Sequence, residues 1–131
     1  MTEKMKIIDF LRENQLDAIF VQKDENCRYL SKFTGSDSYL LLTKEELYLL
    51  TDSRYTEQAR KEAADYTVVD YKGHLAEIVA KLAGEYHIKT MGVETVFSYQ
   101  MYLSFHKYMP NIEFRFSQID RLRQIKSEEE I

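Results

Sequence analysis

The sequence predicts an α/β fold, a mixed six-stranded sheet with helices on both faces. Three observations lead there. Leu40-Leu41-Leu42 and Leu47-Tyr48-Leu49-Leu50 are short, near-continuous apolar runs, and continuity over so few residues suits a strand covered on both faces rather than one with a wet side. The polar link Thr43-Lys44-Glu45-Glu46 between them is short, which makes an antiparallel hairpin the natural connection. Beyond the hairpin, β-favouring runs alternate with segments of helical period, the pattern of helices layered on a sheet.

Each element has its own signal. Met5, Ile8 and Leu11 recur every three residues, with Ile7 beside Leu11, and predict a helix over 2–14 that Asn14-Gln15 ends. Asp17 to Gln22 (DAIFVQ) is an apolar strand. Asp24 is placed to cap a short helix through about Ser31, and Gly35 breaks the pattern. After the hairpin, Thr51, Asp52 and Ser53 offer N-cap oxygens to a helix in which Glu57 and Lys61 stand four apart. Arg54 and Tyr55 therefore leave the sheet at a strand–helix junction.

The second half continues the alternation. Tyr66 to Asp70 is a short strand. His74 to Ala83 carries Leu75, Ile78, Val79 and Leu82 at helical spacing, with Gly84 as the residue that ends it. Thr90 to Glu94 is a strand in which Gly92 lets a neighbour approach. Ser98 to Met109 puts Met101, Phe105 and Met109 on one helical face and stops at Pro110. Ile112 to Phe116 alternates Ile, Phe and Phe inward with Glu and Arg outward, as a half-exposed edge strand does. Ser127-Glu128-Glu129-Glu130 then forms a capping box, with Ile131 as the first apolar residue of the helix it would start. That reads as a piece of a longer protein, in which Ile119, Leu122 and Ile125 stripe a linker helix resting on the first domain.

Composition narrows the function. A chain of 131 residues is one domain by default. The net charge of −4, with no basic block, argues against a nucleic-acid surface. No apolar run approaches the roughly 20 residues of a membrane span, and the start MTEKMKIIDF is too polar for a signal peptide, so a cytoplasmic location is expected. Cys27 is the one cysteine and reads as a buried structural thiol.

Few residues carry chemistry. His74, His87 and His106 lack metal-ligand spacing and read as surface or helix-end histidines. Asp52 and Glu94 each follow a strand, where a pair of acids holding Mg²⁺ would serve a small metal-dependent nuclease. The plainer reading makes Asp52 a helix cap and Glu94 a solvated strand end. Tyr29, Tyr39, Tyr48 and Tyr55 cluster around the hairpin. They read either as ordinary packing or as a partner-facing patch giving weak self-association.

Three stretches taken together resemble the amino-terminal domain of creatinase, prolidase and aminopeptidase P. They are Tyr29 to Leu41 (YLSKFTGSDSYLL), Leu50 to Ala59 (LTDSRYTEQA) and Ile119 to Ile131 (IDRLRQIKSEEEI). The family pattern is close to Y-L-(T/S)-G-F-(T/S)-G, then (T/D)-(D/S)-x-R-(Y/F)-x-x-Q-A, then L-R-x-I-K-(S/D)-x-x-E-(I/L). This chain departs from it at Lys32, where Gly is frequent.

The resemblance implies a ribonuclease H-like topology over residues 1–118, with 119–131 as the linker into a catalytic domain. In the family, which includes dipeptidases and aminopeptidases alike, the whole protein is a metallopeptidase that cleaves the bond before a proline. Two Mn²⁺, Co²⁺ or Zn²⁺ ions sit in that second domain on two Asp, one His and two Glu. On this reading the present residues include no metal ligand and no catalytic residue, and alone are inactive. The family's amino-terminal domain builds a dimer or higher oligomer and narrows the partner subunit's active-site mouth to short proline-containing peptides. By match to the motifs, Arg54, Tyr55, Ser36 and Asp37 are the candidates for lying near substrate. The Arg54 guanidinium suits a peptide carboxylate because it binds both oxygens at once; equally, it suits a salt bridge that locks the junction. Ser36 and Asp37 also read as turn formers. A stand-alone dimerisation module remains the alternative outside the enzyme class.

Overall fold

The computed structural model describes residues 3–35 and 37–122. In chain order they form α1 (Glu3–Glu13), β1 (Ala18–Val21), α2 (Asp24–Ser31), β2 (Tyr39–Thr43), β3 (Leu47–Thr51), α3 (Thr56–Glu62), β4 (Thr67–Asp70), α4 (Leu75–Glu85), β5 (Thr90–Val93), α5 (Tyr99–Tyr108) and β6 (Glu113–Phe116). The strands make one sheet in the order β4-β3-β2-β1-β5-β6. β2 runs antiparallel to β1 and β3, and every other pairing is parallel. The sheet is therefore mixed, as the hairpin and the later alternation predict.

The apolar runs are continuous because successive residues feed different layers. Leu40, Leu42, Leu47 and Leu49, with Ile19 and Val21, enter a core with Ile7, Phe10 and Leu11 of α1, Cys27 and Leu30 of α2, and Ala59 of α3. Leu41, Tyr48 and Leu50, with Ala18 and Phe20, enter a second core with Val79 and Leu82 of α4 and Phe105 of α5. Burying each leucine stabilises the fold by about 1.5–3 kcal/mol. Ile119 and Leu122 are buried in the first core. Gly92 sits where a Cβ would come within 2.7 Å of Leu16 Cδ1 and 2.9 Å of Ile19 Cγ2, which is the close approach expected there. His74, His87 and His106 are exposed, and Cys27 is buried.

Several local expectations are corrected. Asp24 does not cap α2: Lys23 is the N-cap and no side chain of the helix's own start serves it. α3 begins after Tyr55, again without a side-chain cap, so none of Thr51, Asp52 and Ser53 plays that part. Gly84 lies inside α4, which continues to Glu85. The helix ends instead on His87 at φ 54°, with the Ile88 N–H donating to Ala83 O at 3.3 Å, as in a Schellman turn. Just past the helix end the Tyr86 hydroxyl lies 3.0 Å from that of Tyr48, a tertiary contact no local rule registers.

The hairpin tyrosines do not form one patch. Tyr29 and Tyr55 pack on the first core, Tyr39 and Tyr48 on the second, so the sheet itself separates them. Phe116 departs too: it lies on the side of Phe114 but is 69% exposed. Helical cover thins at the first turn of α5, where Tyr99 is 74% exposed. The capping box at 127–130 and Ile125 lie outside the described residues.

Candidate functional site

β1, β3, β4, β5 and β6 all end at the same end of the sheet, and β2 begins there. In open α/β sheets that end is where ligands gather. The segments that emerge from it carry two polar clusters.

The first is the junction after β3. The Asp52 carboxylate accepts the Arg54 backbone N–H at 2.9 Å, Nε at 3.1 Å and Nη2 at 2.7 Å. This fork-on-fork pair holds the guanidinium against the Tyr55 ring, 5.2 Å from its centroid. Asp37 Oδ2 lies 3.9 Å from the same Nη2. The hydrogen bond from Arg54 keeps the Asp52 carboxyl below its ordinary value, and Asp52 in turn raises Arg54. Arg54 nonetheless stays 67% exposed, so the pair fixes its direction without removing it from solvent.

The loop before β2 is fastened at both ends. Phe33 is buried, and its ring edge lies against Tyr55 at 6.3 Å between centroids. A Cβ on Gly35 would fall 2.3 Å from Phe33 Cζ, so only glycine fits over that ring. Thr34 donates its N–H and hydroxyl to Glu62 Oε1 at 2.8 and 2.9 Å, and Gln58 donates to Glu62 Oε2 at 3.1 Å. These bonds, the Thr34 backbone N–H first, hold Glu62 below its ordinary value. At the far end the Tyr71 hydroxyl donates to Asp37 O at 3.5 Å, and Asp37 itself takes the left-handed conformation of a turn former, φ 55°. Lys32 ends α2 at φ 70°, a region where a side chain costs about 1 kcal/mol and glycine is favoured, so the departure from the glycine that the resemblance implies is made at a strained position.

The structure therefore brings Arg54, Tyr55 and Asp37 together. Ser36 lies outside the described residues.

The second cluster follows β1 and β5. Glu94 is 4% exposed, and the sequence reading of a solvated strand end is wrong. Its Oε1 accepts the Gln22 and Lys23 backbone N–H groups at 2.6 and 2.9 Å, and its Oε2 accepts Asn26 Nδ2 at 2.6 Å. The same amide reaches Asp120 Oδ1 at 2.8 Å, and Lys23 Nζ pairs with Asp120 Oδ2 at 3.1 Å. Glu94 thus holds the N-cap residue of α2, Lys23, by its backbone N–H from 71 residues away. Burial, then the Glu94 and Asp24 carboxylates, push the neighbouring Cys27 thiol far up and keep it inert. No sequence signal pointed to Asn26, Lys23 or Asp120, because their partners come from distant segments.

The nuclease pair does not form. Asp52 and Glu94 follow β3 and β5, which are three strand spacings apart in the sheet, or about 14 Å. Two-metal sites hold their ions roughly 4 Å apart, and each carboxylate is already engaged. Among the described residues no group of three or more His, Cys, Asp or Glu converges as a metal would require. The described residues do not fit the pair of divalent ions that the resemblance implies for the whole protein. Among the described residues no helix is long and apolar enough to cross a membrane.

The comparisons with known proteins agree with the motifs. Residues 5–125 match the family model described as the Creatinase/Prolidase N-terminal domain. The chain is 30% identical to an uncharacterized peptidase, YqhT, of Bacillus subtilis over 88% of its own length and 34% of the relative's. It is 33% identical to an Xaa-Pro dipeptidase of Pyrococcus horikoshii over 100% of its length and 37% of that protein's. The chain thus spans about a third of the length of the curated relatives it matches. Among solved structures, the N-terminal domain of the cytoplasmic peptidase PepQ from Mycobacterium tuberculosis superposes with a TM-score of 0.82 at 27% identity, covering 92% of this chain and 97% of that one.

Proposed function

Since this chain belongs to the creatinase/prolidase N-terminal domain family, we propose that it is the non-catalytic amino-terminal part of a cytoplasmic Xaa-Pro dipeptidase or aminopeptidase P. In this reading residues 1–118 are the domain and 119–131 the linker to a metallopeptidase domain that carries two divalent ions. The domain's work is to assemble the oligomer and to shape the entrance for short proline-containing peptides. The family match over nearly the whole chain, with relatives about three times as long, supports it most.

Arg54, Tyr55, Asp37 and Ser36 are the proposed substrate-facing residues. The fastened loop end at Asp37 and the Asp52-aimed guanidinium support that role, since both side chains are exposed and stand beside each other. Two measurements test the reading. The 131-residue chain supplied with Mn²⁺ should leave an Xaa-Pro dipeptide intact, and hydrolysis would refute the division of labour. In the parent polypeptide, Arg54→Ala should raise KM severalfold with kcat and folding stability little changed. A fall in stability with KM unchanged would make Arg54 a lock for the junction and nothing more.

A further inference from the structure

We propose that the β6 edge is a self-complementary interface at which two copies of this chain pair antiparallel, joining their sheets across a two-fold axis. The inference rests on the assembly role proposed above and gives it a location. Glu113 N–H and Ser117 N–H donate to Lys89 O and Val93 O of the β5 side. By the two-residue alternation of a strand, Phe114 and Phe116 therefore turn their peptide groups to the open edge. Among the described residues, five of the six large apolar side chains most open to solvent, Val96, Tyr99, Leu103, Tyr108 and Phe116, lie on α5, on β6 or just before α5, and the sixth is Met5 of α1. Tyr99 and Phe116 line a groove of about 310 Å³ together with Val93, Phe97, Tyr102 and Phe114.

The strand's own sequence sets the register. Centring the pairing on Phe114 lets the two Phe114 residues exchange both backbone hydrogen bonds. Each Phe116 N–H then meets the Ile112 carbonyl of the other copy. On one face Glu113 falls opposite Arg115 of the second copy, twice, by symmetry. On the other face Phe116 falls beside Ile112, covering the apolar groove. Glu113 and Arg115 are already paired within the chain, so the pairing exchanges partners rather than stranding a charge. The opposite edge, β4, reads Thr67-Val68-Val69-Asp70 and has no such opposed charges on one face.

Sedimentation of the 131-residue chain over a dilution series tests this, with thermal melting as the check on folding. The wild-type chain should dimerise reversibly. Arg115→Glu sets Glu against Glu at both symmetric positions and should raise the dimer dissociation constant at least about tenfold. The double reversal E113R/R115E should restore it. Under diamide, E113C/R115C should form an intermolecular disulfide, since those positions are a close, non-hydrogen-bonded pair in this register. A dimer indifferent to R115E, with no cross-link in the double cysteine variant, overturns the β6 interface and leaves the assembly role to another surface. A wild-type chain that stays monomeric throughout overturns the interface and the chain's autonomous assembly together.

Discussion

Replacing Glu94 by Gln is the sharpest test of how the carboxyl end of the sheet is held. The native carboxylate takes three N–H donors, from Gln22, Lys23 and Asn26, with both of its oxygens used. A glutamine keeps one acceptor oxygen. If that oxygen serves the two backbone N–H groups, the new amide faces the Asn26 amide, donor against donor. Hydrogen bonds to a charged group contribute about 1.5–3 kcal/mol and neutral ones about 1, while a stranded buried donor costs about 1–3. The neutral side chain is cheaper to bury, which offsets part of the loss. The net expectation is a destabilisation of about 2–3 kcal/mol, or a Tm lower by roughly 8–12 °C for a domain of this size. Urea unfolding followed by circular dichroism should show the midpoint fall with m unchanged. Glu85→Gln, at an exposed position, should change stability by less than about 0.5 kcal/mol. In a double-mutant cycle, E94Q and N26A should be less than additive, because they share a bond. An E94Q stability within about 0.5 kcal/mol of wild type would show that the three bonds do not organise this end of the sheet.

Three further outcomes follow from the geometry. Gly35→Ala drives a methyl into the buried Phe33 ring and should cost about 1–3 kcal/mol by overpacking, readable in the same unfolding assay. His87→Gly and Lys32→Gly each relieve a left-handed side chain. H87G should gain about 0.5–1 kcal/mol, and K32G less, because the Lys32 ammonium also donates to Tyr29 O; a loss in H87G would contradict the Schellman ending. Acid should loosen the loop of residues 33–38. Asp52 and Glu62 have native values held below their ordinary 3.8 and 4.5. Their contribution is therefore complete above those values and disappears as the pH falls through the lower native ones. The Thr34 amide should exchange faster relative to its intrinsic rate in that acid window while β2 amides stay protected.

Most of the architecture was legible because its signals are periodic and local. Leu40 to Leu42 and Leu47 to Leu50 announced strands buried on both faces, Leu75 to Leu82 a one-sided helix, and Ile112 to Phe116 an edge strand. The motifs around Arg54 located the junction that the structure then builds. Hidden from view were the partners. Glu94 read as solvated because nothing near it in the chain binds it; its donors come from 68 to 72 residues away and meet it only once β1 lies beside β5. The tyrosines around the hairpin looked like a patch because they are neighbours in sequence, yet Tyr39 and Tyr48 on β2 and β3 pack in one layer while Tyr29 and Tyr55, outside the strands, pack in the other.

By itself, then, the sequence determined which segments become strands and helices and, for most of them, which face is apolar, since side-chain period and turn chemistry act over a few residues; in α1 the buried face is Ile7, Phe10 and Leu11, and Met5, read as part of the stripe, is exposed. Strand order was decided only in three dimensions. It set Asp52 and Glu94 far apart, brought Glu94 to the N–H groups at the N-cap of α2, and left β6 with an open edge. Each of those depends on which segments become neighbours, and satisfying a buried polar group across the sheet leaves no periodic trace in the chain.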